Sequence, residues 1–79
     1  MAQRRPYISY NKKGYGYSSV GYTIPTYAEV KKRMAEFLND ADDNTVCVYR
    51  KRRGNWGEWF EHWQFNYKRK PVIVKQGWM

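Results

Sequence analysis

Seventy-nine residues carry fifteen Lys and Arg against seven Asp and Glu, a formal charge of +8, and 19% of them are Phe, Trp or Tyr. A chain this short makes one small domain that buries only ~60% of its unfolded surface, and its single cysteine and single histidine exclude an intramolecular disulfide and a Cys/His zinc set. Stability must come from aromatic rings, each removing ~150–250 Å² from water, or from self-association, while the positive charge favours an anionic partner.

Residues 1–5, with Arg4 and Arg5 before Pro6, read as a flexible basic arm, and residues 6–79 as a single small domain. Two arginines with no apolar run behind them do not read as a signal peptide, and no stretch approaches the ~18 apolar residues of a membrane span. In PYISYNKKGYGYSSVGYTI, Tyr7, Ile8 and Tyr10 suit a strand and NKKG a turn. Tyr15, Tyr17, Val20, Tyr22 and Ile24 suit a second strand whose apolar parity switches at Ser18-Ser19, where a β-bulge or a break is expected. Thr26 followed by Glu29 is a capping box behind Pro25. Tyr27, Val30, Met34, Phe37, Leu38 and Ala41 then fall on one apolar stripe, which predicts a single helix laid on a sheet. It ends at NDADDN, where Asp40, Asp42 and Asp43 crowd the negative end of the helix dipole.

Beyond the helix, TVCVYRK reads as a strand, RRGNWG as a turn, EWFEHWQFNYK as a strand, RKP as a turn and VIVKQ as a last strand. In the long strand Trp59, Trp63, Phe65 and Tyr67 share odd parity, interrupted by Glu61, whereas Glu58, Phe60, His62, Gln64 and Asn66 form a mostly polar even set. The odd set is expected beneath the helix against Val30, Met34, Phe37 and Leu38. The predicted fold is α+β, in the order ββαβββ: an antiparallel sheet of about five strands with one amphipathic helix packed on one face.

One helix covers only part of such a sheet, so some rings should remain in water. An exposed ring beside Lys or Arg is what a nucleic-acid platform needs, since the ring stacks on a base and the cation meets phosphate. Tyr10, Tyr15, Tyr17 and Trp56 are the stacking candidates, and Lys12, Lys13, Arg50, Arg52 and Arg53 the phosphate contacts. The expected ligand is DNA or RNA, gripped largely without regard to sequence, because no RNP signature, GXXG clamp, helix-turn-helix spacing or zinc finger is present. Successive turns of a meander lie at opposite ends, so Arg52-Arg53 and Lys68-Lys70 should stand ~33 Å apart.

Enzymatic readings are weaker. His62 shares a strand face with Glu58, but the pair reads as a solvent-face histidine beside an ordinary carboxylate. Cys47, set between valines, reads as a small buried hydrophobe. No enzyme activity, cofactor or metal is expected. The alternative function is protein docking, through Asp40, Asp42 and Asp43 as an acidic tip and Trp56 and Trp78 as anchors. In size, charge and sheet-plus-helix layout the chain is similar to small accessory proteins of phages and mobile elements, anti-CRISPR inhibitors among them. That likeness implies a host nuclease or nucleoprotein complex as partner and the host-cell cytoplasm as location. Two free sheet edges would also permit a homodimer.

Overall fold

Ile8 and Tyr10 alternate with Tyr7, Ser9 and Asn11 to build the first strand, β1 (Tyr7–Asn11), in the computed structural model, which describes residues 5–14, 19–51 and 57–79. There follow β2 (Ser19–Thr23), two helices α1 (Tyr27–Lys32) and α2 (Met34–Asp40), and then β3 (Val46–Lys51), β4 (Glu58–Phe65) and β5 (Pro71–Trp78). The strands form one five-stranded antiparallel sheet in the order β2-β1-β3-β4-β5, with β2 and β5 as its edges. The protein is therefore a small α+β fold. Ser18 of the expected parity break lies outside the described residues.

Where one helix was expected there are two. The Thr26 hydroxyl accepts from the Glu29 amide at 3.2 Å and starts α1 as its N-cap. At Arg33 the backbone opens to φ −102°, ψ 6°, and its carbonyl accepts from both Glu36 and Phe37 amides before α2 continues. Because the Arg33 amide still donates to the Glu29 carbonyl, the break does not rotate the stripe. Val30, Met34, Phe37, Leu38 and Ala41 all remain buried. At the other end Asn44, in the left-handed region at φ 54°, donates from Nδ2 to the Leu38 carbonyl at 2.8 Å and satisfies one of the helix's terminal acceptors.

The helices pack on one face of the sheet, where Ile8, Tyr10, Val46, Val48 and Trp63 join them in a single core flanked by Tyr22, Tyr27, Phe65 and Ile73. Two expectations about this face are corrected. Tyr10, proposed as a stacking residue, is only 7% exposed, and its hydroxyl donates to Asp40 Oδ2 at 2.7 Å. Tyr67, expected in the aromatic row, is 89% exposed, because β4 stops at Phe65 and the chain turns before parity can carry Tyr67 under the helix.

Glu61 is the other anomaly of the odd set, and the fold explains it. Its register partner Val48 is in the core, so its own side chain is too, at 1% exposure. Four side chains meet its carboxylate. Tyr27 Oη donates to Oε1 at 2.6 Å and Trp63 Nε1 to the same oxygen at 3.1 Å. Trp59 Nε1 donates to Oε2 at 3.0 Å, and Arg50 reaches that oxygen through Nε and Nη2, both at 3.2 Å. The Arg50 guanidinium also lies 3.7 Å from the Tyr27 ring centre. Burial and the bond to Glu61 push the Tyr27 hydroxyl well above the ordinary tyrosine range, which suits a phenol donating to a carboxylate. Among the described residues no helix is long and apolar enough to cross a membrane.

Candidate nucleic-acid interface

The helices cover one face of the sheet; the other carries its own aromatic row. Residues directly opposite one another in antiparallel strands share a face, and Tyr7, Tyr49 and Phe60 stand in register across β1, β3 and β4. The Tyr7 and Tyr49 ring centres are 6.3 Å apart, and Phe60 lies 5.4 Å from the His62 ring one step along its strand. All four rings keep part of their surface in water, Tyr7 as much as 42%.

Glycines let the outer rings lie down on the edge strands. A Cβ at Gly21 on β2 would fall 1.8 Å from the Tyr7 hydroxyl oxygen and 2.6 Å from its ring carbon Cζ, so the tyrosine occupies the space of a missing side chain. On β5, Gly77 is the register partner of Phe60, and a Cβ there would stand 3.4 Å from that ring. The row therefore runs from edge to edge with backbone beneath its ends. Gly21→Val should push the Tyr7 ring aside. The expected result is a loss of oligonucleotide affinity of up to ~1–3 kcal/mol, one stacking contact. A thermal melt should move little, since valine suits a strand, and a shifted Tyr7 ring resonance would report the displacement.

Cations border this face. Lys75 stands opposite His62 on β5. At the end where β1 begins, a cavity of about 450 Å³ is lined by Arg5, Tyr7, Tyr49, Lys51, Glu58 and Met79, among others. Among the described residues, Glu58 is the one strand carboxylate on the face, because Glu61 points into the helix layer. Cys47, expected as a buried hydrophobe, lies here beside His62 and is half-buried, since the alternation that buries Val46 and Val48 turns it outward. Burial raises its thiol pKa, with the Tyr49 hydrogen bond opposing, and burial likewise raises the Tyr49 hydroxyl. Neither adds negative charge to the face near neutral pH.

The residues singled out from sequence are placed differently. Arg50 is held by Glu61 on the helix side, yet its side chain keeps 24% exposure and also lines the cavity. Lys12 and Lys13 lie at the opposite end of the sheet from Arg50, ~20 Å along the strands. There Lys12 bridges to Ala41, and the Lys13 amide donates to the Asp40 carbonyl. Tyr15, Tyr17, Arg52, Arg53 and Trp56 lie outside the described residues, as do residues 1–4 of the basic arm. Of the acidic tip, Asp40 is taken by Tyr10, while Asp42 and Asp43 are exposed, Asp43 accepting from the Thr45 amide at 3.1 Å. Trp78 is 41% exposed and meets Trp59 edge-on with ring centres 5.0 Å apart.

Sequence reasoning therefore missed Tyr7, Tyr49, Phe60 and His62 as one surface. Part of the signal was available: in VCVYR, Tyr49 must face away from its neighbouring valines. Among the described residues, no group of three His, Cys, Asp or Glu is placed to hold a metal ion. Set beside known protein families, curated proteins and solved structures, the chain matches none of them.

Proposed function

We propose that this protein is a non-enzymatic nucleic-acid-binding module of the cytoplasm, which takes single-stranded DNA or RNA on the helix-free face of its sheet. The observation that carries the reading is the row Tyr7-Tyr49-Phe60, three rings in register on the uncovered face. Burying rings under the helices would have stabilised so small a domain more than leaving them half in water. Their position has a use if bases stack on them, because every base has a π-face and stacking tolerates any sequence. Arg5, Lys51 and Lys75 at the margins supply phosphate contacts, and a net charge of +8 draws a polyanion from a distance.

A duplex fits this surface less well. Its bases are already stacked, and no helix here is offered to a major groove. Preference for single strands over duplex of equal length is thus part of the reading.

Fluorescence anisotropy with labelled oligo(dT) across a salt series tests it. Each phosphate neutralised on a single strand contributes ~0.7 to the slope of log affinity against log salt, so three marginal cations predict a slope of about −2. Absence of binding below ~100 µM at low salt, where even nonspecific contact should register, would overturn the reading. Docking on a nuclease through Asp42, Asp43 and Trp78 would then be the reading to pursue.

A further inference from the structure

The turn between β4 and β5 is a built element with an aromatic at its tip. Asn66 organises it. Its Oδ1 accepts from the Lys68 and Lys70 amides, both at 2.9 Å, its amide donates to the Lys70 carbonyl at 2.8 Å, and its carbonyl accepts from the Arg69 amide at 2.9 Å. Arg69 takes the left-handed conformation at φ 60° and folds back, its guanidinium 4.6 Å from the Phe65 ring centre and 3.3 Å from Asn39 Oδ1. One cation thus fastens the turn to the fold. The other two, Lys68 and Lys70, are exposed, and Lys68 Nζ lies 5.6 Å from the centre of the Tyr67 ring.

Tyr67 itself is 89% exposed and lies outside the core cluster. A large ring on a loop whose backbone is already ordered loses little conformational freedom on binding. The NYKRK turn carries three positive charges and no negative one, and the partner that answers both its charge and its ring is a nucleic acid.

We propose that this hairpin tip is a second nucleic-acid contact, in which Tyr67 stacks on a base while Lys68 and Lys70 meet the flanking phosphates. It rests on nucleic acid being the ligand, as proposed above, but not on the open face being its seat. From Glu58, beside the cavity, to Phe65, where β4 ends just before the tip, the chain advances ~23 Å along the strand direction. The two contacts therefore engage separate stretches of one strand. Very short oligonucleotides should reach only one of them, and affinity should rise with length before levelling within the ~4–16 nucleotides that small sheet-based modules cover.

The test is the affinity of the full chain for labelled oligo(dT), comparing Tyr67→Ala, Tyr67→Phe and the pair Lys68→Ala/Lys70→Ala with Tyr49→Ala/Phe60→Ala. Tyr67→Ala should bind about tenfold more weakly, within the range for one lost stack, with an unchanged melting temperature and near-full recovery in Tyr67→Phe. An abasic oligonucleotide should not distinguish Tyr67→Ala from the parent. With these two lysines added to the three cations of the open face the parent slope becomes about −3.5, and the lysine pair should reduce it by about 1.4. If Tyr67→Ala binds like the parent while the Tyr49/Phe60 variant loses affinity, the tip proposal falls and the open face stands. If only the tip variants lose affinity, the tip stands and the face does not. Capture by phosphatidylserine vesicles without any oligonucleotide binding would overturn the proposal in favour of a lipid surface.

Discussion

Glu61→Ala is expected to cost about 3–5 kcal/mol of folding stability, the penalty for breaking a buried ion pair from one side. A chain of this length holds about 4–12 kcal/mol in all, so the variant should lose a quarter or more of its stability. The reason is the number of donors left behind. Arg50, Tyr27, Trp59 and Trp63 all point at this one carboxylate, and each donor left without an acceptor costs ~1–3 kcal/mol if water cannot reach it. The Arg50 side chain keeps 24% exposure, so water recovers part of its share and places the loss toward the lower end of the range.

Two further variants separate charge from hydrogen bonding. Glu61→Gln keeps the shape but turns an amide toward donors, and should be destabilised although no cavity forms. The double variant Arg50→Met/Glu61→Leu removes both charges and should be more stable than Glu61→Leu alone, because no lone guanidinium remains in the helix layer. Urea unfolding followed by tryptophan fluorescence measures all of them, with Trp59 and Trp63 reporting from the site. A loss below ~1 kcal/mol in Glu61→Ala would mean that the network contributes no more than a surface pair.

Tyr49→Ala and Phe60→Ala are expected to act on binding and spare the fold. Each removes a stacking surface worth ~1–3 kcal/mol, or roughly 5- to 150-fold in affinity. Their cross-strand partnership supports the sheet by only ~0.2–1 kcal/mol. The double variant should approach the sum if the two rings receive different bases, and fall short of it if they share one. Tyr49→Phe and Phe60→Tyr should bind nearly as well as the parent, since the ring and not the hydroxyl is used. The readout is oligo(dT) anisotropy at constant salt, with thermal melts as control. Retained affinity in both alanine variants, alongside native melting, would remove the open face from consideration.

Much of the architecture was legible because it rests on local rules. The capping box at Thr26, the stripe from Tyr27 to Ala41 and the alternation in TVCVYRK each need only the period of a helix or a strand. The break at Arg33 was not legible: no Gly or Pro marks it, and the stripe continues through it undisturbed. The end of β4 was also hidden, because alternation through Phe65-Asn66-Tyr67 gives no sign that Asn66 will gather the next four residues into a turn. The candidate site was the least legible part. Tyr10 looks as available as Tyr7 in the sequence, yet one ring is in the core and the other on the open face.

From its residues alone this chain had to form a small basic α+β domain with one apolar helical stripe and more aromatic surface than a single helical layer hides. Strand parity also dictated which side chains travel together: Tyr7 with Ser9, Tyr49 with Cys47, Trp59 with Glu61 and Trp63. Which set would meet the helices was a matter for the tertiary structure, because alternation distinguishes two faces without saying where the next layer will pack. Strand order did the rest. It set β3 between β1 and β4, which brought Tyr7, Tyr49 and Phe60 into one row and delivered Arg50 and Tyr27 to a carboxylate that local sequence could only mark as out of place.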